Sequence, residues 1–189
     1  MRVLIMVLSS LKKPYDEMYR VQRATWDSEY HPMVDTVYYF ADEYEKMHIP
    51  FIECLRNVWC GDWDIIFRTN SSSYVDKELL YEYIKDHETN KLWVSSYDEQ
   101  MSGCGFFMSR DLLEVLLNKE YPETHEAEDM YIAHTIHDAT GCLPKAGQRT
   151  QYNHVEQKYD KCYHIRCKDD DRENDIKAML HIFETIKTK

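Results

Sequence analysis

A few groups of polar side chains in this sequence are of types, and at spacings, that could do chemistry. Asn70, Ser71 and Ser72 close the apolar run in "DIIFRTNSSSYVD" and are small, neutral and rich in hydrogen-bonding oxygen. Ser9 and Ser10 follow the run "RVLIMVL", and Asp42 follows "MVDTVYYFA". Glu128 and Asp129 adjoin in "EAEDM"; carboxylates are able general bases, and a helix start favours acids in any case. In "YHIRCKDDDR", His164, Arg166 and Lys168 alternate with Tyr163, Ile165 and Cys167. On a strand that alternation gathers three potential cations on one face, a notable feature in a chain of formal net charge −11.

Placing these groups requires strands that end where the groups begin. The apolar run Arg2 to Leu8 predicts a first strand, Met33 to Ala41 a second and Asp64 to Arg68 a third. Tyr15 to Trp26 carries apolar residues near helical spacing. Asp76 is expected to cap a helix reaching about His87, with Glu78 in its first turn. Leu92 to Ser95 and Phe106 to Met108 read as short strands, Asp111 to Asn118 and Glu128 to His137 as helices, and Tyr163 to Cys167 as a late strand. A last helix, Asp171 to Ile186, aligns Ile176, Met179, Leu180, Phe183 and Ile186 on one face. Strands alternating with helices predict an α/β fold, a mainly parallel central sheet flanked by helices, in a single domain over residues 1–189. Ligands of such sheets bind beyond the carboxyl ends of the strands. That rule brings Ser9, Asp42 and the Asn-Ser stretch to one crevice.

Composition narrows the partners. Hydrophobic residues make up 43% of the 189 residues, enough for a core, and the acidic balance argues against nucleic acid or an anionic membrane. The first apolar run is too short for a signal segment or a membrane span. Six cysteines without dense repeating spacing fit a reduced, intracellular protein, and Cys162 and Cys167 read as buried hydrophobes. His134 and His137, without a third ligand, read as a polar helix face. No G-x-G-x-x-G follows the first strand and no G-x-x-x-x-G-K is present.

Four stretches in order resemble one family. "RVQRATW" is similar to the R-x-x-I-R-x-T-W helix of the β-1,3-glycosyltransferases, the Fringe and β-1,3-galactosyltransferase group. "WDIIFRTNSSSYVD" stands where that family has a lysine-threonine-triple-aspartate strand end. "MSGCGFFMSRDLLEVL" resembles its S-G-x-G-Y-x-x-S-x-D segment, and "EAEDMYIAHTI" its E-D-V-x-x-G helix start. The family's membrane anchor and stem have no counterpart in these residues, which resemble the compact soluble type of bacteria and large DNA viruses, as in chloroviruses. What the resemblance implies is a GT-A fold, a UDP-sugar donor, a glycan or glycoprotein acceptor in viral capsid glycan synthesis, and a place in the cytoplasm of the host. The alternative is a GT-A-like module that binds nucleotide or glycan without catalysis.

The resemblance also implies roles for residues. Asp129 matches the base that takes the acceptor proton in an inverting transfer, with Glu128 in reserve. Donor contacts fall to Ser9, Ser10, Asp42, Asn70, Ser71, Ser72, Gly103 and Gly105, with Arg23 and Arg68 (in place of the family's lysine) as contacts or supports. The alternative for either arginine is an ion pair with one of the chain's carboxylates, and for Arg166 and Lys168 it is pairing with Asp169, Asp170 and Asp171. The family's D-x-D metal motif becomes Asn70, Ser71 and Ser72, poor ligands for a hard cation. Mn²⁺ is therefore expected to be weakly held, with His164 as the candidate protein ligand, while His164, Arg166 and Lys168 clamp the diphosphate. "DWD", Asp62 to Asp64, is literally D-x-D but precedes its strand, at the wrong end of the sheet. Trp59 and Trp63 are candidates to stack on sugar rings.

Overall fold

The first strand, β1 (Val3–Ser9), sets the layering. Val3, Ile5 and Val7 face one side and Leu4 and Met6 the other, all buried, so both faces of the sheet must be covered. The structure is a computed structural model and describes residues 1–42, 47–96, 101–118, 127–152, 159 and 161–187. β1 lies between β2 (Val34–Phe40) and β3 (Ile65–Asn70), parallel to both. The sheet continues through β6 (Gly105–Ser109), β5 (Trp93–Ser95) and β7 (Lys145–Ala146) in the order β2-β1-β3-β6-β5-β7. Only β6 runs against its neighbours.

Helices α1 (Tyr15–Ala24), α3 (Lys77–Ile84) and α6 (Arg172–Lys187) cover one face, packing Met18, Leu80, Ile84, Met179 and Ile182 on Val3, Ile5, Ile65 and Phe67. The other face carries α2 (His48–Val58), α4 (Arg110–Leu117) and α5 (Glu128–Thr140), with Phe51, Leu55, Leu113, Ile132 and Ile136 against Leu4, Met6 and Ile66. Asp76 caps α3 as expected, its Oδ1 accepting from the Leu79 amide at 2.9 Å. The core face of α6 differs from the predicted one: Ile182 is buried and Leu180 is exposed. α2 was not anticipated, although His48, Phe51, Ile52 and Leu55 recur at helical spacing and Pro50 sits in the first turn, where a missing N–H is harmless. No helix among the described residues is long and apolar enough to cross a membrane.

A second, three-stranded sheet matters more for function. β4 (Ser73–Val75) pairs antiparallel with β9 (His164–Arg166), which pairs parallel with β8 (Thr150–Gln151). The two sheets meet at Gly105, where an added Cβ would lie 2.5 Å from Cε1 of the buried His164 ring. Gly105→Ala is therefore expected to cost about 1–3 kcal/mol through overpacking. The check is a urea denaturation midpoint, with His164→Ala in the same chain restoring part of the loss.

Candidate active site

Parallel register brings the C-terminal ends of β1 and β3 together, pairing Leu8 with Asn70, while Ser9 pairs with Phe40 of β2. Beyond these ends lie two adjoining cavities of about 380 and 240 Å³ that share Leu8, Met47, Asn70, Arg166 and Lys168. The larger is lined also by Ser9, Ser10, Asp42, Ser71 and Ser72, the smaller by Gly103, Glu128 and Asp129. The crevice rule thus gathers most of the candidate residues. Asp42 accepts a short bond from Ser10 Oγ at 2.6 Å, and Lys12 Nζ lies 3.8 Å from its second oxygen.

The Asn-Ser stretch is a tightly bonded turn. Asn70 Oδ1 accepts from the Ser72 amide (3.2 Å), Ser72 Oγ (3.0 Å) and Ser73 Oγ (3.2 Å), while Asn70 Nδ2 donates to the Gly103 carbonyl. α1 braces the turn from behind. The buried Gln22 amide donates to the carbonyls of Asn70 and Ser73, and Trp26 Nε1 donates to Ser73. The "RVQRATW" stretch serves the site through these two residues, neither of which was singled out from the sequence.

The two adjacent acids have different fates. Glu128 is 2% exposed, and its Oε1 takes hydrogen bonds from Arg68 Nε at 2.8 Å and the Tyr39 hydroxyl at 2.9 Å. Its Oε1 is committed to a buried ion pair, while Oε2 is buried without a partner among the described residues. Asp129, one residue on, is half-buried on the wall of the smaller cavity, with Oδ2 accepting from the Gly103 amide at 2.9 Å. A Cβ at Gly103 would lie 2.9 Å from that same oxygen, so glycine is what lets the amide come close.

Arg68 is buried between Glu128, Tyr39 and the Gly103 carbonyl, to which its Nη1 donates. Burial works against its charge, but the Glu128 carboxylate offsets this and holds the guanidinium above its ordinary value. Arg68 supports the site through these bonds and also lines the smaller cavity. Arg23 stands away from the crevice: its Nη1 is 2.7 Å from Asp27 Oδ2, and the buried Asp27 also pairs with Lys77. Of the two outcomes expected for Arg23, the ion pair with a carboxylate is the one observed. Trp59 and Trp63 flank the Arg110 guanidinium, each ring 4.7 Å away, near the start of β3 and far from the crevice. Asp62 and Asp64 lie at that end too, against Arg2.

β9 delivers part of the expected cationic face. Arg166 and Lys168 line both cavities, and no ion-pair partner is present for either among the described residues. Neighbouring Asp169 and Asp171 are drawn into local structure instead of pairing with them. Asp169 and Asp171 accept from backbone amides ahead of α6, and Arg172 pairs with the buried Asp175. His164 is not the third cation. Its Nε2 lies between Thr69 Oγ1 (3.2 Å) and Ser73 Oγ (3.1 Å), away from the lining of the crevice. Burial, with Arg149 and Arg166 nearby, pushes the imidazole from 6.5 down to about 3.

No protein-family model matches the chain, and neither does any curated protein. Among solved structures, a glycosyltransferase involved in the glycosylation of the major capsid of PBCV-1 superposes with a TM-score of 0.64. The match covers 95% of this chain and all of that one at 14% identity. The fold is GT-A-like. A 4-diphosphocytidyl-2C-methyl-D-erythritol synthase from Anaerococcus prevotii is more distant, with a TM-score of 0.48 at 10% identity over 96% of each chain. In this GT-A-like sheet the crevice lies beyond the carboxyl ends of β1 and β3, where α/β sheets bind ligands.

Arg68→Met leaves the Glu128 carboxylate buried without its cation, and a loss of about 3–5 kcal/mol is expected in denaturant unfolding. Replacing both residues by Met is expected to recover most of it, because an intact buried pair and an apolar replacement have similar stability. His164 gives a pH signature. The unfolded chain protonates it near 6.5 and the folded protein only near 3. Its contribution is complete above pH 6.5 and drains as pH falls toward 3, at up to about 1.4 kcal/mol per pH unit. Unfolding midpoints between pH 7 and 4 are expected to fall less steeply in His164→Gln.

Proposed function

We propose that the protein transfers a sugar from a UDP-sugar to a hydroxyl of a glycan acceptor, with inversion at the anomeric carbon. The observation that carries this reading is Asp129, a half-buried carboxylate on the wall of a crevice whose other walls offer hydroxyls and two cations, Arg166 and Lys168. Uracil and ribose fit the larger cavity, where Ser10 and Asp42 supply a hydroxyl and an acceptor. The diphosphate lies toward Arg166 and Lys168, and the sugar toward Gly103 and Asp129. In the reaction the acceptor oxygen attacks the anomeric carbon and passes its proton to Asp129. The bond from that carbon to the diphosphate oxygen breaks, and UDP leaves with the electron pair. Likeness in fold to a transferase involved in capsid glycosylation supports a capsid glycan as the acceptor.

A second reading, a module that binds nucleotide or glycan without transfer, is favoured by one observation: Asn70, Ser71 and Ser72 hold no carboxylate. Turnover decides between the two. UDP release from UDP-sugars, with water or a glycan as acceptor, is expected for the wild type. Asp129→Asn is expected to lower it by about 10²–10⁴ while UDP still binds. Turnover near wild type in that variant rules out the assigned base. In a thermal-shift series UDP is expected to stabilise the protein more than GDP or CMP, and a preference for GDP would overturn the donor class.

A further inference from the structure

We infer that the crevice binds the diphosphate of its nucleotide without a divalent metal, with Arg166 and Lys168 supplying the positive charge. The inference rests on the nucleotide-sugar reading above and sharpens it: the fold family implies a metal at this turn, and the donor atoms present do not fit one.

The mismatch lies in how those atoms are used. Mn²⁺ and Mg²⁺ seek charged oxygens with free lone pairs. Asn70 Oδ1 already accepts from three donors with only two lone pairs, and two of those donors are the hydroxyls of Ser72 and Ser73. The carboxylates lining the crevice among the described residues stand apart from the Asn-Ser turn's own oxygens and have partners of their own: Asp42 has Ser10 and Lys12, Asp129 has the Gly103 amide, and Glu128 pairs through Oε1 with Arg68 and Tyr39, its Oε2 being buried without a partner there. His164 Nε2 lies between Thr69 and Ser73. Among the described residues no group of three His, Cys, Asp or Glu side chains is placed to hold a metal ion between them.

The charge that a metal would bring is present in another form. β9 pairs with β4 so that Arg166 stands opposite Ser73, and the Cys167 amide donates to the Ser72 carbonyl at 2.8 Å. This pairing fixes the cationic strand beside the Asn-Ser turn. Arg166 Nε is buried with no partner among the described residues, and Lys168 has no carboxylate within ion-pair distance there. Among the described residues both stay without an ion-pair partner, in a chain with 34 acids against 23 lysines and arginines. Such cations gain most from an anion that arrives as a ligand. A UDP-sugar diphosphate carries two negative charges, which these two residues match. The neutral turn then has a physical sense: aspartates at 70–72 would pair with Arg166 and Lys168 and, without a metal, repel the phosphates. During transfer the same cations stabilise charge growing on the departing phosphate.

Calorimetry of UDP and UMP, each in EDTA and in Mn²⁺, tests this. The wild type is expected to bind UDP equally well in both, and more tightly than UMP. Arg166→Ala with Lys168→Ala is expected to weaken UDP in EDTA by about tenfold or more and to leave UMP little changed. The EDTA comparison needs only the wild type, so a variant that misfolds does not remove the test. UDP binding that vanishes in EDTA and returns with Mn²⁺ overturns the inference and leaves the nucleotide reading standing. EDTA-resistant binding with an unchanged UDP-over-UMP preference in the double variant overturns the role of these cations. Failure of UDP to bind in either condition overturns the nucleotide reading, and this inference with it.

Discussion

The buried pair between Arg68 and Glu128 is the constraint on which the rest of the site depends. Two charges removed from water are tolerable only when they meet each other and further hydrogen-bonding groups. Here Tyr39 of β2, Arg68 of β3, Glu128 of α5 and the Gly103 carbonyl meet at one point. The cluster fixes the start of α5 against the sheet. Asp129 follows in the chain, so the same anchor sets it on the crevice wall, and the Gly103 amide orients its carboxylate. A helix start with adjacent acids is thereby divided: one acid holds the structure and the other faces the ligand space.

The second dependence is the pairing of β4 with β9. The chain leaves the main sheet at Asn70, turns through the serines and enters β4, which captures a segment about 90 residues later in the sequence. Gln22 and Trp26 secure the turn from α1, and Gly105 leaves the space that the His164 ring fills. The result places neutral hydrogen-bonding groups and two cations side by side at the end of the sheet. The serines that end the third apolar run therefore belong to a bonded turn that holds a neighbouring charged strand in place.

Much of this was legible in the sequence because period-two and period-3.6 patterns report directly on layers. β1, β2, β3 and α5 lie close to the expected ranges, and the rule for strand ends gathers Ser9, Asp42 and Asn70. What was not legible depends on partners distant in the chain. Arg68 and Arg23 look alike as candidate donor contacts or supports until Glu128 and Asp27 are seen to hold them. Alternation put His164 beside Arg166 and Lys168, yet β9 ends at Arg166 and the histidine is buried beneath Gly105. Gln22 gave no signal, since a glutamine in a helix reads as surface, and only the fold reveals the two carbonyls it meets.

A crystal structure of the protein with UDP in the presence of EDTA tests the central claim most directly. The account predicts uracil and ribose over Ser10 and Asp42, with phosphate oxygens within hydrogen-bond reach of Arg166 and Lys168 and no ion between them. A nucleotide seated away from the strand ends, or a diphosphate turned away from Arg166 and Lys168, would contradict it.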